Sequence, residues 1–69
     1  MYEIYERLRD ARGLSDYAVA AKTGVARSIL SEWKTGRHTP GLKNLLILAN
    51  FFGVSVDYLI GNTQKEVSV

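Results

Sequence analysis

Five short helices and no strands, an all-α class, are what this sequence of 69 residues predicts. Apolar residues recur at helical spacing, with Leu30 and Trp33 three apart and Leu42, Leu45, Leu46, Ala49 and Phe52 along one stripe. Glycines close the periodic segments at Gly13, Gly24, Gly36 and Gly61. Serines open two of them, at Ser15 and Ser55, where a hydroxyl can accept a bond from an orphan backbone N–H.

The first helix is expected from about Glu3 to Arg12, with Ile4, Leu8 and Ala11 inward. The second opens at Ser15, sets Asp16 against the helix dipole and turns Val19 and Ala20 inward. Gly24 ends it with φ > 0, a conformation that costs any residue bearing a Cβ. The third covers about Arg27 to Thr35 and starts from Ala26, which offers no capping oxygen, a loss of about 0.5–2 kcal/mol. The fourth follows Thr39-Pro40-Gly41 and covers Leu42 to Phe52, and the fifth runs from Ser55 to Gly61. One domain over residues 1–61 and a fraying polar tail over 62–69 complete the expected organisation.

The segment from Leu14 to Thr35, followed by Gly36, Pro40 and the run Leu42 to Gly61, resembles the Cro/repressor-type helix-turn-helix family of phage and bacterial regulators. Its most specific pieces are Gly-Val-Ala-Arg-Ser-Ile-Leu-Ser-Glu-Trp from Gly24 to Trp33 and Gly-Val-Ser-Val-Asp-Tyr-Leu-Ile-Gly from Gly53 to Gly61. The resemblance implies a compact helix-turn-helix domain, a transcriptional repressor that binds double-stranded DNA, and a third helix entering the major groove. It also implies base contacts from Arg27, Ser28, Ser31 and Glu32, which match the family's base-facing positions.

Geometry agrees. At about 100° per residue, Leu30 and Trp33 define the inward side of the third helix and leave Arg27, Ser28, Ser31, Glu32 and Thr35 pointing outward. Arg27 suits a bidentate contact to guanine O6 and N7, Glu32 an acceptor role toward cytosine N4, and the serines loose reading or a phosphate bond. The plainer alternatives are a solvated Arg27 and a Glu32 paired with Arg27 or Lys34. Ile29 fits the edge of the core better than a thymine methyl.

Phosphate contacts are expected from Tyr17, Lys34, Thr35, Arg37, His38 and Lys43, near the starts of the second and fourth helices. Two positions depart from the family pattern. Asp16 stands where a phosphate-binding glutamine is common, so it reads as a dipole partner, with Tyr17 supplying a neutral hydroxyl or lying partly buried. Arg9 and Lys34 occupy positions that often hold an arginine and a glutamate; either Arg9 turns to another acid or both cations face the DNA backbone.

The charge distribution supports the same face. Between Lys22 and Lys43 the cations Lys22, Arg27, Lys34, Arg37 and Lys43 oppose Glu32 alone, a net +4, while the segments on either side each carry −1. With no cysteine and one histidine, neither a disulfide framework nor a zinc site is expected, and no cofactor is called for. No glycine-rich phosphate loop, carboxylate dyad or nucleophile pair points to an enzyme. The start lacks a signal-peptide pattern, and Leu45 to Ile60 falls short of the roughly 20 apolar residues of a membrane span. A cytoplasmic protein without an appended sensor or catalytic domain is the expectation.

The fourth helix adds a second surface. With its stripe centred on Leu42, Ile47 and Phe51 fall on the opposite side, where many relatives have lysine and alanine. An exposed ridge of Ile47 and Phe51, joined by Tyr58, is expected to form a homodimer seam; the alternatives are two isolated surface apolar residues or local cover by Val67 and Val69. In a different class of function, the same ridge would seat a heterologous protein partner, as in an antitoxin or antirepressor complex.

Overall fold

Serine side chains cap two of the helix starts in this chain, those of the second and fifth helices. The computed structural model describes residues 1–61, and residues 62–69, with Val67 and Val69, lie outside the described residues. The helices are α1 (Tyr2–Ala11), α2 (Asp16–Thr23), α3 (Arg27–Lys34), α4 (Leu42–Phe52) and α5 (Val56–Leu59), with no strand among the described residues. Ser15 Oγ accepts from the Ala18 N–H at 3.1 Å and Ser55 Oγ from the Tyr58 N–H at 3.0 Å, so both expected caps form. Ala26 caps nothing with its side chain. Ala26→Ser is therefore expected to stabilise the domain by about 0.5–2 kcal/mol, read as a shift of the urea midpoint.

The turn between α2 and α3 is fixed by Gly24 and by a residue the sequence pattern did not single out. Gly24 has φ +83 and donates its N–H to Ala20 O at 2.8 Å. Thr23 Oγ1 donates to Val19 O at 2.8 Å and accepts from the Val25 N–H at 3.2 Å, tying the turn to fully buried Val19. Val25 then plugs into the core. Leu30 and Trp33 do the same one helix later, as expected, and Ile29 packs at the core's edge.

Two faces differ from expectation. On α1 the buried residues are Tyr2, Ile4 and Tyr5, with Leu8 half-buried and Ala11 exposed. Aromatic packing is the reason: Trp33 lies edge-on to Tyr2 at 5.7 Å between ring centres and 5.6 Å from Tyr5, which in turn meets Phe52 at 5.9 Å. Rings of this size reach the core from positions where an alanine does not. The Trp33 Nε1 is enclosed there without a hydrogen-bond partner among the described residues.

On α4 the inward side is centred between Leu45 and Phe52, roughly 70° round from Leu42 at about 100° per residue. Leu45, Leu48, Ala49 and Phe52 are buried, whereas Leu42 and Leu46 are 67 % and 47 % exposed. Ile47 and Phe51 are half-buried against the core rather than forming a solvent ridge. Phe51 meets Phe52 edge-on at 4.9 Å, and the Arg12 guanidinium covers both rings while donating to Phe51 O at 3.0 Å. The end of α1 thus shields a face that a single-helix projection leaves open. Tyr58 is exposed, as expected.

Candidate nucleic-acid interface

A polar cluster beneath the start of α2 sets the geometry of the candidate surface. Asp16 Oδ1 accepts from the Tyr5 hydroxyl at 2.7 Å and from Arg9 Nη1 at 2.9 Å. Arg9 also donates to the Tyr2 hydroxyl at 3.2 Å and to Asp10 Oδ1 at 2.8 Å. Of the two arrangements open to Arg9, the one with a different acid is realised, and that acid is Asp16. Asp16 is thus more than a dipole partner: it joins α1 to α2.

The cluster shifts its own titrations. Burial alone pushes the Asp16 carboxyl up, but the bonds from Tyr5 and Arg9, with the charges of Arg9 and Lys34, hold it below the usual carboxylate value. Burial and the bond to Asp16 push the Tyr5 phenol well above its ordinary range, and burial together with the Asp16 charge raises Tyr2. At neutral pH the buried side of the cluster holds the Asp16 carboxylate, the Arg9 guanidinium and two neutral phenols.

Above the cluster opens a groove of about 350 Å³ lined by Asp16, Arg27, Ser28, Ser31 and Lys34. Four of the expected DNA-facing residues, Arg27, Ser28, Ser31 and Lys34, are therefore gathered along one groove of α3, whose inward side buries Leu30 and Trp33. Because Arg9 has its acid in Asp16, Lys34 is left without an ion pair among the described residues and stays exposed. Arg27 lies with its Cζ 5.5 Å from the centre of the Tyr17 ring. Tyr17 is 66 % exposed, so the partly buried alternative does not hold.

Glu32 sits apart from that group. Half-buried, it lines a second hollow of about 110 Å³ with Ile29, His38, Asn44 and the loop from Thr39 to Gly41. Among the described residues it pairs with neither Arg27 nor Lys34. Its carbonyl accepts from the Arg37 N–H at 2.9 Å, the His38 N–H at 3.3 Å and Thr35 Oγ1 at 3.0 Å, which closes the end of α3. The hydroxyl proton of Thr35 is spent inside the protein. Arg37, His38 and Lys43 are exposed on the loop after α3 and the first turn of α4.

Sequence reasoning missed the hub role of Asp16 and the partnership of Tyr17 with Arg27. Both join residues on different helices, and no spacing within one helix announces them. No group of three His, Cys, Asp or Glu side chains among the described residues could hold a metal ion. No helix among them is long and apolar enough to cross a membrane.

Comparison with known proteins points the same way. The helix-turn-helix family model matches residues 6–59. A SPbeta prophage-derived HTH-type transcriptional regulator of Bacillus subtilis, YonR, is 31% identical over 64 residues, covering 93% of this chain and 59% of its own length. Another from that organism, the HTH-type transcriptional regulator YobD, is 39% identical over 58 residues, 84% of this chain and 52% of its own length. The HTH-type transcriptional activator BcrR of Enterococcus faecalis is 27% identical over 62 residues, 90% of this chain and 30% of its own length. The chain spans between about a third and three-fifths of the length of these relatives. No solved structure matches. With the helix pair, the glycine turn and the family match all falling on the same residues, the chain belongs to the Cro/repressor-type helix-turn-helix family of phage and bacterial transcriptional regulators.

Proposed function

We infer that this chain is a sequence-specific double-stranded DNA-binding regulator that acts most simply as a cytoplasmic repressor, reading an inverted-repeat operator with α3 in the major groove. One observation carries the reading: α3 buries Leu30 and Trp33 while turning Arg27, Ser28, Ser31 and Lys34 into one open groove. Arg27 reads guanine and the serines read or brace neighbouring positions, with Glu32 at the rim beside the α3–α4 loop. Lys34, Arg37, His38 and Lys43 hold phosphates. A short helix offers few base contacts, so two copies across a two-fold axis are needed to rise above non-specific binding. Tyr58, with the outer edges of Ile47 and Phe51, supplies the seam of that homodimer. A protein-interaction role draws support from Leu42 and Leu46, exposed one turn apart on α4.

Selecting bound duplexes from a random library tests this. The expected product is an inverted repeat with half-site centres about 10 base pairs apart, sedimenting with two chains. Arg27→Ala then weakens specific binding by about 1–3 kcal/mol and relaxes one base position per half-site. Alanine at Lys34, Arg37 or Lys43 lowers the slope of log K against log salt by about 0.9 each and leaves the base preference in place. A library that enriches no sequence overturns the DNA reading in favour of a protein partner, and an unchanged slope for all three removes this face from the interface.

A further inference from the structure

Tyr17 is a large aromatic side chain that the core does not use. It is 66 % exposed at the second residue of α2, and its hydroxyl bonds to nothing among the described residues. The Arg27 guanidinium lies over its ring, 5.5 Å from Cζ to the ring centre. Arg27 has no ion pair or hydrogen bond of its own among the described residues, so this ring is its one specific neighbour there.

The platform under Arg27 is rigid for reasons already described. Ser15 caps α2, Asp16 is tied to Tyr5 and Arg9, and Val19 is fully buried. Tyr17 stands between these anchors, with only two side-chain torsions left to move. An arginine held over an aromatic face loses much of its rotamer freedom in advance and can still present the N–H donors at its planar edge. That is what bidentate recognition of a base requires.

We propose that Tyr17 is the positioning residue for Arg27: its ring, not its hydroxyl, holds the guanidinium ready for a base edge and so sharpens discrimination at the position Arg27 reads. The proposal rests on the α3 reading above and deepens it. A cation over an exposed ring gives a modest gain, so the expected effect is about two- to fivefold in affinity for the preferred duplex. The effect falls on specific binding and spares binding to random duplex, because the phosphate contacts come from other residues.

Titrations of labelled duplexes with wild type, Tyr17→Phe, Tyr17→Ala, Arg27→Ala and the Tyr17→Ala/Arg27→Ala double variant test it. The duplexes are the selected operator, the operator with the Arg27-dependent base pair changed, and a random sequence. Tyr17→Phe is expected to match wild type on all three. Tyr17→Ala is expected to lose about two- to fivefold on the operator alone, with helical content unchanged, and the double variant to bind no worse than Arg27→Ala. Equal losses for Tyr17→Phe and Tyr17→Ala would assign the work to a hydroxyl–phosphate bond and overturn the proposal. Additive losses in the double variant, or an equal loss on random duplex, would overturn it too. If Arg27→Ala relaxes the base preference and Tyr17→Ala does not, the proposal alone falls; if Arg27→Ala changes no preference, the reading through Arg27 falls with it.

Discussion

Trp33→Ala is expected to destabilise the domain by about 3–5 kcal/mol, measured by urea denaturation followed in the far-ultraviolet. The indole is 4 % exposed and meets Tyr2 and Tyr5, so its removal opens a cavity at the meeting of α1 and α3. A chain this short has little stability in reserve, ordinary domains holding only about 5–15 kcal/mol. The variant is therefore partly unfolded near ambient temperature and loses DNA binding together with its helical signal. Trp33→Phe separates ring from donor. It gives up some volume but also removes the enclosed Nε1, whose unmet bond costs about 1–3 kcal/mol, so it is expected within about 1.5 kcal/mol of wild type. A wild-type midpoint for Trp33→Ala would mean that α3 is not anchored through this side chain.

Asp16→Ala is the second large effect, about 1.5–3 kcal/mol, because it leaves Arg9 Nη1 without its acid and buried Tyr5 without its acceptor. Partial exposure of the carboxylate, 28 % of its side chain, places the value in the lower half of that range. The pH dependence has a definite sign. Asp16 titrates lower when folded than when unfolded, so its contribution is present above the ordinary carboxylate value near 3.9 and is lost as pH falls through the depressed folded value. Tyr5 and Tyr2 titrate higher when folded, so theirs is present below about pH 10 and is lost as pH rises beyond it. Subtracting the Asp16→Ala stability curve from that of wild type should leave a difference that is flat near neutrality and shrinks below about pH 4. A difference that is constant into the acid range would show that the carboxylate is not charged in the pair. The same substitution removes a negative charge from the groove, so binding of random duplex at neutral pH should tighten even as the fold weakens.

Most of the fold was legible because helix ends are local matters. Ser15, Gly24, Ser55 and the span of α4 need only neighbours in the chain, and all four came out as the sequence implied. The inward side of α4 was not legible, since its true centre near Phe52 depends on what lies on either side. Arg12, just past the end of α1, covers Phe51, and nothing in the α4 sequence announces that. Burial of Tyr2 and Tyr5 was hidden for the same reason: their partner Trp33 is some thirty positions away. In the candidate site, the gathering of Arg27, Ser28 and Ser31 followed from helical angle, while Lys34, expected only as a phosphate contact, joins them in the groove. Glu32 shared their outward angle yet fell into another hollow, because the loop after α3 folds back over it.

The one-sidedness of α3 has a bearing on how such a protein changes over generations. Its hold on the domain runs through Leu30, Trp33 and the backbone bonds at its end, while the side chains of Arg27, Ser28 and Ser31 contribute no hydrogen bond or ion pair to the fold among the described residues. Substitutions at those three positions can accumulate without first threatening the fold. A descendant can therefore take up a new operator by drift on one face of one helix, keeping the rest of the chain as an unaltered handle.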